Sequence, residues 1–293
     1  MEKVMSNKGI IALYVLPSLL LIIAIIYLPI VLTGYYGLMQ WDGISPMTFI
    51  GLENYSTLLH DEKFWSSVYH SFLFAVLSTV FLSVYMAVAL VLSGNIRGAN
   101  LFRKIYLLPM LLSSVAIAQL WLKIYHPTTG ILNDFLTSLG VKETPEWLAD
   151  PSIVLGALFV PILWQYAGFY ILIYYAAFKN IPASLIEAAR IDGASPIQIA
   201  LRIKIPLISE VIKVTIVLAV VGSLKYFDLI YVMTDGGPNG ASEVMASYMY
   251  HKAFRGFEFG YGSAIGFFLL LICLVATWGI RKLTETKDSI QYS

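Results

Sequence analysis

Residues 187–206 read EAARIDGASPIQIALRIKIP, a charged, amphipathic segment broken by Gly193 and Pro196. Long apolar stretches flank it on both sides, in a chain of 293 residues that is 58% hydrophobic and only 13% charged. Soluble domains carry about 25% charged residues, so the composition is that of an integral membrane protein. Crossing the hydrocarbon core takes roughly 20 apolar residues in a helix. Six stretches qualify: about 10–33, 69–93, 105–125, 153–178, 207–233 and 262–281. The expected fold class is therefore all-α integral membrane with six transmembrane helices. With no internal repeat and no low-complexity tract, residues 1–293 read as a single membrane domain.

The first stretch follows Lys3 and Lys8 as a signal peptide would, but it is too long and no small-residue cleavage site follows it, so it reads as a retained span. Orientation follows from Lys and Arg in the connecting segments. With the N-terminus inside, the cytoplasmic segments hold twelve: Lys3, Lys8, Arg97, Arg103, Lys104, Lys179, Arg190, Arg202, Lys204, Arg281, Lys282 and Lys287. The external segments hold four, Lys63, Lys142, Lys252 and Arg255. Both termini and the segment 179–206 are thereby expected to be cytoplasmic.

Within 179–206 the residues from Ala183 to Ile191 favour helix, with Leu185, Ile186, Ala189 and Ile191 on an apolar side. Asp192-Gly193-Ala194 supplies a stop, because glycine tolerates the left-handed conformation that ends helices. Ser195 with Gln198 three residues on is a capping box, and Pro196 falls at the favoured first helical position. A second short helix is expected to start there and to stop before Pro206. Helices this short are marginal alone in water, so they must pack on something. An interfacial position on the membrane surface and a groove in a partner protein both satisfy that need.

Glu187-Ala188-Ala189, three residues, Gly193, nine residues, then Ile203, Lys204, Ile205 and Pro206 resembles the EAA loop of ATP-binding-cassette importer permeases, whose pattern is EAA-x3-G-x9-I-x-L-P. The departure is Ile205 where leucine is usual. The resemblance implies the type I importer permease fold. It also implies that 179–206 is a coupling loop that docks in a cleft on a separate ATPase subunit. Glu187, Ala188, Ala189, Arg190, Asp192, Gly193, Ala194, Ser195 and Pro196 are the implied coupling residues.

Three further stretches are similar to the carbohydrate uptake branch of that family. They are Phe49-Ile50-Gly51-Leu52-Glu53-Asn54-Tyr55 with Asp61 and Phe64-Trp65; Phe227 to Thr234 with Gly236-Gly237-Pro238; and Ala253-Phe254 with Phe259-Gly260-Tyr261-Gly262. The implied substrate is a sugar or oligosaccharide; glycerol-3-phosphate permeases share these motifs and give the alternative. The implied partners are a second, homologous permease subunit, two ATP-binding subunits and an extracytoplasmic solute-binding protein, in a bacterial or archaeal cytoplasmic (inner) membrane. ATP and magnesium would be used by the partner ATPase, and this chain would bind no cofactor and would not itself be an enzyme.

Transporter sites lie where helices are interrupted and polar groups face a cavity. In the fourth span Gly156, Pro161 and Gly168 are expected to weaken the hydrogen-bond ladder. Ile162, Gln165, Tyr166 and Phe169 share one side at helical spacing, with Trp164 beside them and too deep in the span for an interfacial belt. In the fifth span Lys225 and Asp228 are three apart, near Ser223 and Tyr226. The pair reads as an intraspan ion pair; the other reading has Tyr226 and Asp228 bonding sugar hydroxyls. The substrate candidates are thus Ile162, Trp164, Gln165, Tyr166, Phe169, Ser223, Tyr226 and Asp228.

Other chemistries find little support. There is no GxxxxGK[ST] phosphate loop and no HExxH, and His60, His70, His126 and His251 lack metal-ligand spacing. The single cysteine, Cys273, excludes an intrachain disulfide, and a net charge of +1 gives no reason to expect nucleic acid. An ion-coupled secondary transporter would need a relay of acids or histidines through several spans, and Asp228 stands nearly alone.

Overall fold

The computed structural model describes residues 8–94 and 99–284. Lys3, Arg97 and Lys287 of the charge argument lie outside the described residues. Among the described residues five helical runs are long and apolar enough to cross a membrane: Gly9–Tyr36, Glu62–Leu92, Val154–Lys179, Ser209–Met233 and Phe259–Thr284. The expected third span is not one helix. It forms two pieces, Lys104–Leu111 and Ser114–Ile124, bent by 105°. Pro109 lies in the last turn of the first piece, and Ser113 caps the second, its Oγ accepting from the Ala116 N–H at 3.2 Å. A proline that removes a ladder hydrogen bond, followed by a serine cap, stops one helix and starts another.

The described residues fall into two compact units. The first is built from residues up to 62 together with 249–271. Its opening helix is exposed along its length and passes through a wide π turn at Ile23–Tyr27. A two-residue hairpin pairs Met39 with Phe49 and Gln40 with Thr48. Asn54 Nδ2 donates to the Gly37 and Met39 carbonyls, at 3.0 and 2.9 Å, and the Gly260 N–H donates to the Trp41 carbonyl at 3.1 Å. The Tyr261 hydroxyl donates to Asp61 at 2.6 Å. The first and third of the branch-specific stretches therefore meet in this unit, as polar clamps between residues some 200 apart in sequence. At the hairpin, Asp42 accepts from the Ile44 and Ser45 N–H groups and from the Ser45 hydroxyl, and these bonds hold its carboxyl down to about 2.

The second unit comprises 63–248 and the residues from 272. One cluster packs Phe74, Ile117, Leu158, Phe159, Leu229 and Ile230; another packs Leu82, Tyr85, Tyr170, Tyr174 and Ala219. Among lipid-facing helices, such packing acts through close contact rather than through expulsion of water. The fourth span runs unbroken from Val154 to Lys179, contrary to the expected interruption. Pro161 and Gly168 are buried in it, and Gly168 is where the Lys104–Leu111 piece approaches: a Cβ there would collide with the Tyr106 carbonyl oxygen and lie 3.1 Å from the Leu107 Cα. The fifth span is interrupted instead. Its helix stops at Leu224, Lys225 to Phe227 leave helical geometry, and a short helix resumes at Asp228–Met233.

Candidate functional site

Gln165 projects from the unbroken fourth span and is buried, 6% exposed. Its Nε2 donates to Ser114 Oγ at 3.1 Å, and its Oε1 accepts from the Tyr226 hydroxyl at 3.1 Å. Ser114 is the first residue after the break in the third span, and Tyr226 sits in the break of the fifth. One amide therefore ties two helix interruptions together. Backbone irregularity at membrane depth is tolerated where protein or a cavity satisfies it, and a cavity lies alongside. It measures about 40 Å³ and is lined by Ser78, Tyr85, Ile162, Tyr166, Ser223 and Tyr226. That is room for about two waters, far below the roughly 300–1,000 Å³ of ligand-filled sites.

Five of the eight substrate candidates converge here. Ile162, Tyr166, Ser223 and Tyr226 line the cavity, and Gln165 bridges beside it. The Tyr166 and Tyr226 rings meet edge to face at 6.0 Å, and Ser223 Oγ donates to Ser78 Oγ at 3.0 Å. The other three lie elsewhere. Trp164 packs edge-on against Trp121 at 6.1 Å, Phe169 packs against Tyr170 at 5.1 Å, and neither lines the cavity. Asp228 is exposed at the start of its short helix and does not line the cavity. Among the described residues Lys225 and Asp228 form no ion pair, because the chain leaves helical geometry between them and the three-residue spacing no longer stacks them.

Several residues of this site escaped the sequence reading, Ser78, Tyr85 and Ser114 among them. Ser78 and Tyr85 come from the second span, where the Tyr85 hydroxyl donates to the Leu163 carbonyl at 2.9 Å and its ring stacks on Tyr170 at 5.9 Å. Ser114 required the kink to be foreseen. Pro109 followed by Ser113-Ser114 within an apolar run was the available signal.

The EAA segment is a helix over Ala183–Ile191. It ends with Gly193 at φ +79°, the Gly193 N–H donating to the Arg190 carbonyl at 3.1 Å and the Ala194 N–H to the Ala189 carbonyl at 2.9 Å. That is the paired closure of a left-handed helix stop. The capping box is complete: Ser195 Oγ accepts from the Gln198 N–H at 3.3 Å, and Gln198 Oε1 from the Ser195 N–H at 2.8 Å. The second helix does not stop before Pro206. After Pro196–Ile199 it widens into a π turn over Ala200–Lys204, closed by the Ile205 N–H on the Ala200 carbonyl, and it ends at Leu207. The widened turn places Pro206 at the start of the next one, where its missing N–H costs nothing.

The two sides of the first helix differ. Ala189 is buried and Ile186 half-buried, whereas Glu187, Ala188, Ile191 and Asp192 are exposed. Burial, with Arg190 and Lys179 nearby, lowers the Lys204 ammonium below the usual lysine range.

The sequence profile of the family described as "Binding-protein-dependent transport system inner membrane component" matches residues 80–285. The chain belongs to this family. A probable ABC transporter permease of Pyrococcus horikoshii is 36% identical over 270 residues, covering 90% of this chain and 92% of that one. A xylose/arabinose import permease of Haloferax volcanii is 35% identical over 245 residues, 83% of this chain and 75% of that one. Among solved structures, a chain of a bacterial alginate ABC transporter in complex with an alginate pentasaccharide-bound periplasmic protein has the same fold, with a TM-score of 0.84 at 23% identity over 95% of this chain and 96% of that one. The protein is an ABC importer permease, an inner-membrane component with several membrane-spanning helices.

Proposed function

We propose that this permease carries a sugar or oligosaccharide, and that Gln165, Tyr166, Ser223 and Tyr226 contact it. The observation that carries the reading is the Tyr226–Gln165–Ser114 chain, which joins the broken third and fifth spans beside an aromatic cavity edged by hydroxyls. An amide both donates and accepts, as sugar hydroxyls do, and tyrosine rings offer faces to a pyranose. In this reading substrate hydroxyls replace the hydrogen bonds that Gln165 makes to Ser114 and Tyr226. The import of pentoses by the Haloferax relative supports the same class. In this reading the EAA segment and both termini are cytoplasmic, and the exposed side bearing Glu187 docks on an ATP-binding subunit that hydrolyses ATP. A second permease and a solute-binding protein complete the assembly.

Affinity purification of the tagged full chain in mild detergent tests the assembly. Recovery of a six-span permease and an ATP-binding protein is expected, with sugar uptake that persists after the proton and sodium gradients are collapsed. A solitary protein whose uptake dies with those gradients would mean ion coupling, with Asp228 the first residue to test. For the site, Gln165→Ala and Tyr226→Ala are each expected to weaken apparent uptake affinity about fivefold, the worth of one buried hydrogen bond. Unchanged uptake kinetics in both would move the site elsewhere.

A further inference from the structure

An open groove of about 390 Å³ runs between the start of the fifth span and the end of the last, within the second unit. Val214, Val217 and Leu218 line it from one helix and Thr277, Arg281 and Thr284 from the other, in each case at the spacing of a single helical face. Val214 and Leu218 are 58% and 44% exposed. Ser209 opens the first of these helices and Thr284 closes the second. Lys213 and Arg281 therefore lie about one turn from the helix ends, at headgroup level. Leu218 lies about 13 Å along its helix from Ser209, at the depth of the acyl chains. The groove is thus charged at its mouth and apolar below. Glu210 answers one charge there, bonded to Lys213 at 2.7 Å, and among the described residues Arg281 forms no ion pair. Lys282 does not line the groove; its ammonium lies over the Trp278 ring at 4.9 Å.

We infer that this groove holds one anionic phospholipid, its acyl chain along Val214, Val217 and Leu218 and its phosphate between Lys213 and Arg281. Two features choose the occupant. Polarity runs along the groove as it does along a lipid, from charge at the helix ends to hydrocarbon deeper in the span. A headgroup with one net negative charge also completes a site in which two cations face one carboxylate, whereas a zwitterionic headgroup leaves that excess in place. The Lys213–Glu210 pair does not close the site, because the Glu210 side chain is 81% exposed and a solvent-screened pair of this kind is weak. The Thr277 and Thr284 hydroxyls donate to the Cys273 and Ile280 carbonyls, at 2.7 and 2.8 Å, so the two cations supply the donors to phosphate. The site stands whatever solute the spans carry.

The test is native mass spectrometry of the full chain purified in mild detergent, titrated with dioleoylphosphatidylglycerol or dioleoylphosphatidylcholine. The wild type is expected to retain one phosphatidylglycerol in preference to phosphatidylcholine by about tenfold. Lys213→Gln/Arg281→Gln loses that preference, and Lys213→Arg/Arg281→Lys, which keeps both charges, retains it. Glu210→Gln removes the competing carboxylate and raises it. Lys179→Gln/Lys204→Gln, which removes as much positive charge outside the groove, leaves it unchanged. Equal retention of the two lipids by the wild type, an undiminished preference in the Lys213→Gln/Arg281→Gln variant, or a lower one in Glu210→Gln overturns the site. So does an equal loss in the Lys179→Gln/Lys204→Gln control, which would make the preference one of overall charge. Displacement of the lipid by inorganic phosphate alone, or by a co-purified permease or ATP-binding subunit, overturns it as well, assigning the groove to a free anion or to a protein.

Discussion

Glu187→Lys is expected to abolish uptake while leaving the protein inserted at its normal level. Glu187 is exposed on a helix whose buried side is occupied by Ala189, so the substitution reverses a charge without disturbing packing. A docked partner that reads this carboxylate then meets a like charge, and coupling falls by about 1.4 kcal/mol or more, at least tenfold in transport. Gly193→Pro reaches the same end by another route. Proline cannot adopt the +79° φ of Gly193, and it removes the N–H that closes the helix on the Arg190 carbonyl. Uptake into cells or proteoliposomes, with membrane insertion quantified alongside, checks both variants. Normal uptake in the two together would remove the coupling role from this segment.

Gly168→Val is expected to be the most damaging single change in the spans. Its Cβ would be driven into the Tyr106 carbonyl oxygen and against the Leu107 backbone, and backbone cannot rotate away as a side chain can. The cost is about 1–3 kcal/mol at least, since close helix approach rests on small residues. Gly156→Ala in the same helix is the control. A Cβ there meets nothing within 4 Å, and alanine favours helix by about 1 kcal/mol. Thermal unfolding in detergent should separate the two: a clear drop in Tm for the valine variant, and an unchanged or higher Tm for the alanine variant. Equal stability would mean that the Lys104–Leu111 piece does not hold to the fourth span at Gly168.

The contrast between these two glycines marks where sequence reading ends. Both looked like weak points in a ladder, yet the fourth span is continuous and the glycines do different things. The breaks fall in the third and fifth spans, at Leu112–Ser113 and at Lys225–Phe227. Pro109 and Ser113 announced the first. Nothing local announced the second, because Lys225-Tyr226-Phe227 carries neither proline nor glycine. Trp164 and Phe169 show the same limit: helical spacing correctly gathered Ile162, Gln165 and Tyr166, but which aromatics face the cavity depends on what stands opposite them; Trp121 claims Trp164, and Phe169 lies off the lining.

By itself the sequence determined five of the six expected membrane spans, the left-handed stop at Gly193 and the Ser195–Gln198 cap. Each of these depends on neighbours within a few residues: apolar runs, a glycine without Cβ, a hydroxyl three residues from an amide. It also determined the family, through the EAA spacing. The tertiary structure alone decided that Gln165 joins Ser114 to Tyr226, 51 and 61 residues away, and that Ser78 and Tyr85 complete the cavity. A buried amide takes whichever partners the packing brings within about 3 Å, and that choice is made by helices folding together.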